Sequence, residues 1–375
     1  PIGAFSKAFK SRGWNEGIGA AIGWIPVLGS LALALGYSVV VGWILKYSVG
    51  SIAGFSWAPN GVEEFGAAFG SMASAFGNNP WQIAGLVMTF IIMAAGVAKG
   101  IEMANKVMIP LFFVMFVWLG IYIYSLPGAA EGIRFYLQPD FSKITPQLFV
   151  FVLGQVFFAL SLGFGVMITL SSYLDKKENL VQTAVITAVV NTLIAVLAGF
   201  MIFPSLFSFG VAPDSGPTLV FQSLPIVFSN MWAGTMFAVV FFSLLLIAAL
   251  TTSLTIYEVL ITALQEKTRL PRRTAIVLVL GGIFLLGNVP SVLGDNLWQQ
   301  VRLFGLSIFD AFDFASGNIL FMLTALGSAL FVGFVMKDEA REELGSNSRF
   351  TGLWFAYVKY FIPFVILLIF VSNLI

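Results

Sequence analysis

Histidine and cysteine are both absent from the 375 residues. Without imidazole the chain has no common zinc ligand, no usual general base and no triad built on one. Without thiols it has no disulfide and no thiolate metal site, and cysteine usage says nothing about redox compartment. Charge is scarce as well: 10% of residues are Asp, Glu, Lys or Arg, where a soluble domain has about 25%. A net charge of +1 supplies no basic field, which excludes nucleic acid as a partner. No cleavable signal peptide is evident at the N-terminus. Together these absences argue against an enzyme.

What is present is apolar. Hydrophobic residues make up 59% of the chain, with 39 phenylalanines. A soluble fold of this length could not cover so much apolar surface with so few charges. The composition therefore predicts an all-α polytopic membrane protein whose outer surface meets the lipid bilayer.

Crossing the hydrocarbon takes about 20 apolar residues in a helix. Charge-free runs predict nine transmembrane helices, near 18–46, 81–98, 107–126, 145–173, 180–204, 232–262, 274–293, 311–336 and 352–374. One set of alternating loops carries 14 Lys and Arg residues, among them Lys7, Lys10, Arg12, Lys176, Lys177, Arg272 and Lys337; the other set carries four. By the positive-inside rule the N-terminus is cytoplasmic and the C-terminus extracytoplasmic, in a cell membrane. Two outer segments are long. Residues 50–80 are rich in small residues and punctuated by Pro59 and Pro80, and 205–231 mixes Pro213, Pro217 and Pro225 with apolar residues. The second is expected to pack as a hairpin over an external vestibule rather than act as a polar linker.

The fourth span has Ser161, Gly163 and Gly165 at its centre. Each glycine costs a helix interior about 1 kcal/mol relative to Ala. Either the helix unwinds there and lines a cavity with freed carbonyls, or the glycines admit a close neighbour, as Gly19 and Gly23 are expected to do in the first span. The sixth span carries Thr251, Thr252 and Ser253 in succession. Such hydroxyls either bond back to their own helix or offer hard oxygen ligands to a small cation. Asn191 is an isolated amide in the fifth span, and Tyr37 lies well inside the first. Glu258 is open between gating an inner pathway and pairing with a loop arginine; Lys359 is expected to snorkel or to pack on a carbonyl.

Five segments occur in one order: Tyr37–Trp43, Gly154–Gly165, Asn191 with Gly199 and Pro204, Ala248–Ser253, and Phe312–Phe314. Together they resemble the sodium/neurotransmitter symporter family in its bacterial form, over nearly the whole chain. The resemblance implies a five-plus-five inverted-repeat fold followed by an extra helix. This chain matches the third to eleventh helices, as one transmembrane domain: 1–126 the remainder of the first repeat, 145–336 the second, and 352–374 the extra helix. It further implies that, without the two helices preceding these, the chain alone does not transport.

The family's substrate site maps onto Leu33, Tyr37, Phe158, Ala159, Ser161, Phe164, Thr252 and Ile256. There Tyr37 would hold the carboxylate, carbonyls around Phe158, Ala159 and Ser161 the amino group, and Phe158 would close as a lid. One sodium ion would use the Ala248 carbonyl and the hydroxyls of Thr251 and Thr252; the other would use Asn191 and Ala159, where a hydroxyl common in the family is missing. Gln155 matches an anion position, but Ala159 and Ala195 stand beside it in place of hydroxyls, so chloride dependence stays open. Asp313 matches an external-gate carboxylate. The implied activity is sodium-coupled symport of a small apolar amino acid, aliphatic or aromatic. Two rivals remain at this stage. A proton-coupled amino-acid permease would need a titratable group where this chain has hydroxyls, and a non-transporting amino-acid-binding subunit or sensor would keep the pocket alone.

Overall fold

The computed structural model describes residues 1–55, 62–73, 75–95, 97–172, 178–211, 216–288, 298, 300–344 and 349–374. Pro59, Lys176, Lys177 and Pro213 lie outside the described residues. Among the described residues the structure is helical, apart from one isolated bridge between Leu303 and Leu306.

The chain opens with a helix ahead of the first expected span at 18–46. α1 (Ile2–Ser11) buries Ile2, Phe5, Ser6 and Phe9, the i, i+3, i+4, i+7 stripe of an amphipathic helix. It lies against α2 (Glu16–Ile52), whose first turn is capped by the Asn15 side chain, which accepts the Gly17 N–H at 2.8 Å. Gly19 and Gly23 make the contact possible. A Cβ at Gly19 would come within 2.6 Å of the Phe5 carbonyl oxygen, and one at Gly23 within 2.6 Å of the Ile2 Cα. These small residues do admit a close neighbour, but the neighbour is α1 and not another span.

Six helices are long and apolar enough to cross a membrane among the described residues. The remaining predicted spans correspond to two 17-residue helices, α4 (Asn79–Ala95) and α12 (Arg272–Asn288), and to a pair of short helices described below. The first span outruns its expected end at residue 46 and continues to Ile52. Tyr47 is fully buried there, 5.0 Å from the Phe221 ring, and Ser48 donates to the Phe242 carbonyl at 2.8 Å. Tertiary packing thus carries the helix past the point where hydropathy alone would stop it.

α3 (Val62–Ala73), α5 (Val97–Tyr124), α6 (Ala129–Leu137) and α9 (Leu180–Ser208) flank this core, and α11 (Gly234–Thr268) runs along α2. The segment between α9 and α11 is packed rather than a polar linker. A π-helical turn at Leu219–Ser223 leads into α10 (Leu224–Asn230), where Leu224, Pro225, Ile226, Val227 and Phe228 are all buried. Phe221 stacks on Phe69 of α3 with ring centres 5.5 Å apart. Between helices in lipid the hydrophobic effect gives little, so such shape-matched contacts and hydrogen bonds decide the packing.

α13 (residues 308–335) contains π-helical turns at Ala315–Leu320 and Phe331–Val335. The charged α14 (Lys337–Glu343) follows, and α15 (residues 349–374) carries a third π turn at Tyr357–Phe361. α1 also binds this hairpin. Phe9 stacks on Phe331 with ring centres 5.4 Å apart, and an Arg12 nitrogen meets the two Glu339 oxygens at 2.5 and 2.6 Å.

Candidate functional site

The fourth predicted span is not a continuous helix. α7 (Pro146–Ala159) stops at mid-span and α8 (Val166–Ser171) restarts six residues later. The ending is a Schellman motif: the Ser161 N–H donates to the Phe158 carbonyl and the Leu162 N–H to the Phe157 carbonyl, both at 3.0 Å. The left-handed position that closes this motif, usually a glycine, is Ser161 at φ 54°. Gly163 at φ 85° and Gly165 at φ 72° then turn the chain into α8. Of the two readings the glycines allowed, unwinding is the one the structure adopts.

Close approach operates as well. A methyl group at Gly163 would collide with the carbonyl of Phe321 on α13, and one at Gly165 would come within 2.9 Å of Pro26 on α2. The Phe164 ring is 4.0 Å from that of Phe321, and its carbonyl accepts a short hydrogen bond from the fully buried Ser30 of α2. The carbonyls of Ala159, Leu160, Ser161, Leu162 and Gly163 accept no hydrogen bond among the described residues. Five main-chain oxygens therefore remain available at the break. The Phe158 carbonyl, expected to help receive an amino group, is instead engaged by Ser161.

Several of the residues expected in the substrate site meet. Phe164 and Ile256 share one buried cluster, and Leu33 and Tyr37 pack against it. The Tyr37 phenol lies within reach of the Thr252 side chain. Phe158 is 56% exposed and sets its ring edge-on to Phe164, the centres 5.5 Å apart. A cavity of about 420 Å³ opens between the break, α13 and α15, lined by Ser161, Gly163, Thr324, Tyr357 and Phe361. It shares Ser161 with the expected substrate site, while Tyr37 and Thr252 do not line it.

The hydroxyl cluster on α11 divides in two. Ser253 is buried and donates to its own helix at the Ala249 carbonyl, 2.9 Å away, as back-bonding predicts. Thr251 also bonds back to its own helix, donating to the Ala248 carbonyl at 2.9 Å, so two of the three expected sodium ligands bond each other. Thr252 is exposed and its hydroxyl makes no bond to its own helix; its carbonyl accepts from Thr255. Of the second expected sodium site, Asn191 is half-buried on α9 and Ala159 is exposed on α7. Gln155 is likewise exposed, and the Asp313 side chain has no ion pair among the described residues.

Sequence reasoning missed Ser30 and Phe321, which brace the break from two sides. Ser30 lay in a run of small residues where one hydroxyl gives no distinguishing signal. It also left open Glu258, which is 3% exposed and binds Arg272 through two contacts of 3.0 and 2.8 Å.

Comparison with known proteins gives consistent matches. The family model described as the sodium:neurotransmitter symporter family matches residues 62–375. A sodium-dependent transporter of Haemophilus influenzae is 59% identical over 94% of this chain and 79% of its own length. A sodium-dependent transporter of Bacillus subtilis is 36% identical over 99% of this chain and 82% of its own. Among solved structures, MhsT in complex with L-phenylalanine superposes with a TM-score of 0.86 at 34% identity, covering 94% of this chain and 81% of MhsT.

Proposed function

Since this chain belongs to the sodium:neurotransmitter symporter family, we propose that it takes part in the sodium-coupled symport of a small apolar amino acid. The observation that carries this reading is the broken helix: five unbonded carbonyl oxygens at mid-span, beside a cluster that joins Phe164, Ile256, Leu33 and Tyr37. Irregular backbone at that depth is tolerated only where it lines a cavity or binding site.

In this reading sodium binds at the Ala248 carbonyl with Thr251 and Thr252. The amino group of the substrate meets the carbonyls of Ala159 and Ser161, and its carboxylate meets the Tyr37 phenol. Leu33, Phe164 and Ile256 surround an aliphatic or aromatic side chain, and Phe158 swings over it. Asn191 with the Ala159 carbonyl is a candidate for a second sodium ion, Gln155 for an anion, and Asp313 for the outer gate. Residues 1–126 and 145–336 act as the two repeats, with the N-terminus cytoplasmic. The complex of MhsT with L-phenylalanine supports an apolar substrate. The membrane potential adds about 2.3 kcal/mol per charge per 100 mV to the sodium gradient.

The Ala248, Thr251 and Thr252 oxygens are few for a dehydrated cation, so we expect full transport to draw further ligands from outside residues 1–375. Uptake of radiolabelled phenylalanine or leucine into proteoliposomes, with sodium or potassium outside, tests both parts. Sodium-driven uptake by residues 1–375 alone would refute the need for further ligands. Uptake indifferent to sodium, once the chain is expressed together with the two preceding helices of a relative, would refute the symport reading.

A further inference from the structure

Lys359 lies within the candidate span Thr351–Ser372, yet its surroundings are aromatic. Its Nζ stands 4.4 Å from the centre of the Phe334 ring and 5.2 Å from that of Tyr360. These rings are 54% and 64% exposed, so the cage faces outward, where lipid is. Among the described residues Lys359 forms no ion pair. Ring faces attract an ammonium group but do not replace a counter-charge in a medium that solvates it poorly.

Register fixes the depth of this charge. The π turns of α13 and α15 face one another, and a Cβ at Gly333 would lie 2.9 Å from the Lys359 Cα. The two residues are therefore level. Lys337, the first residue of the charged α14, follows Gly333 by one helical turn, about 6 Å along the axis. Gly333 lies two residues from the end of the candidate span Asp310–Val335, so Lys359 stands level with that end of α13. Tyr357 and Tyr360 sit at the same level, as interfacial aromatics do.

A second cation borders the same strip. The Arg341 guanidinium stands 5.4 Å from the ring centre of the buried Phe355, four residues before Lys359 on α15. Arg341 also has no ion pair among the described residues. The carboxylates of α14 do not neutralise either group: Glu339 is held by Arg12, and Asp338, Glu342 and Glu343 pair with neither.

We propose that Lys359, flanked by Phe334 and Tyr360 and assisted by Arg341, binds the phosphate of an anionic phospholipid in the leaflet on the Lys337 side. The ammonium group supplies the counter-charge, the two rings cover the glycerol region, and the acyl chains continue along the exposed apolar faces of α13 and α15.

Native mass spectrometry of the purified protein, offered phosphatidylglycerol and phosphatidylcholine in equal amounts, tests this directly. The wild-type protein is expected to retain phosphatidylglycerol preferentially. Lys359→Gln should reduce that retention about fivefold, Lys359→Arg should restore it, and Lys7→Gln, on the exposed face of α1, should leave it unchanged. Equal retention of the two lipids by the wild type overturns the proposal, as does a Lys359→Gln protein that retains phosphatidylglycerol normally. Displacement of the lipid by millimolar inorganic phosphate overturns it too, because the site would then take the free anion. If Lys359→Gln does not fold, the Phe334→Leu, Tyr360→Leu double variant decides: unchanged retention sinks the idea.

Discussion

Arg272 lays its two terminal nitrogens on the two carboxylate oxygens of Glu258, at 3.0 and 2.8 Å, across the turn that joins α11 to α12. The carboxylate is 3% exposed and the arginine emerges to solvent at 39%. Removing the arginine alone takes the bidentate contact from a buried carboxylate, and breaking a buried pair costs about 3–5 kcal/mol. Arg272→Ala should therefore lower the melting temperature in detergent sharply, and the Arg272→Ala, Glu258→Gln double variant should recover most of the loss. A single variant that melts like the wild type would show that the pair carries no stability.

Ser30→Ala takes the donor away from the Phe164 carbonyl. A buried acceptor left unmade costs about 1–3 kcal/mol, and here the cost falls on the break. Sodium-dependent amino-acid binding should weaken roughly tenfold, the equivalent of about 1.4 kcal/mol, while helical content by circular dichroism stays unchanged. Unaltered binding would mean that Ser30 does not hold the break.

The α11 hydroxyls should separate cleanly by substitution. Thr252→Val and Thr251→Val are expected to abolish the thermal stabilisation by sodium, whereas Ser253→Ala, whose hydroxyl is turned onto Ala249, should keep it. For a sodium concentration a hundredfold above Kd that stabilisation is about 2.7 kcal/mol, and potassium should not reproduce it. An equal response from all three variants would remove this cluster from the ion site.

Two substitutions at the break should move stability in opposite directions. Gly163→Ala adds a left-handed penalty of about 1–2 kcal/mol to the collision with the Phe321 carbonyl, and should disrupt the site. Ser161→Gly relieves the left-handed serine at φ 54° and should raise the melting temperature while substrate binding is kept, because the main-chain carbonyl remains. Denaturation and binding measured on the same preparations distinguish the two effects.

Much of the architecture was legible because lipid imposes one-dimensional rules. Charge-free length gives the spans, and paired glycines in mid-span mark where a helix gives way. Partners far apart in sequence were not legible. Ser30 meets Phe164 across 134 residues, and only the folded chain shows which of many small residues faces the break. Hydropathy also underestimated elements stabilised by packing. α1 looks like a polar loop until the Ile2, Phe5, Phe9 stripe is set against Gly19 and Gly23, and α2 continues to Ile52 because Tyr47 is surrounded by Phe221 and Phe242.

The inlaid position of α1 limits how the molecule can change shape. Its backbone is seated in α2 at Gly19 and Gly23, and its far end grips α13 and α14 through Phe331 and Glu339. Any swing of one of those rods drags the other with it, so the strut turns that end of the bundle into a single moving body. Pro1, 3.6 Å from where a Cβ at Gly165 would stand, extends this grip to the break that precedes α8. Spin labels on Lys7 and Lys337 should keep one separation whether or not sodium is bound.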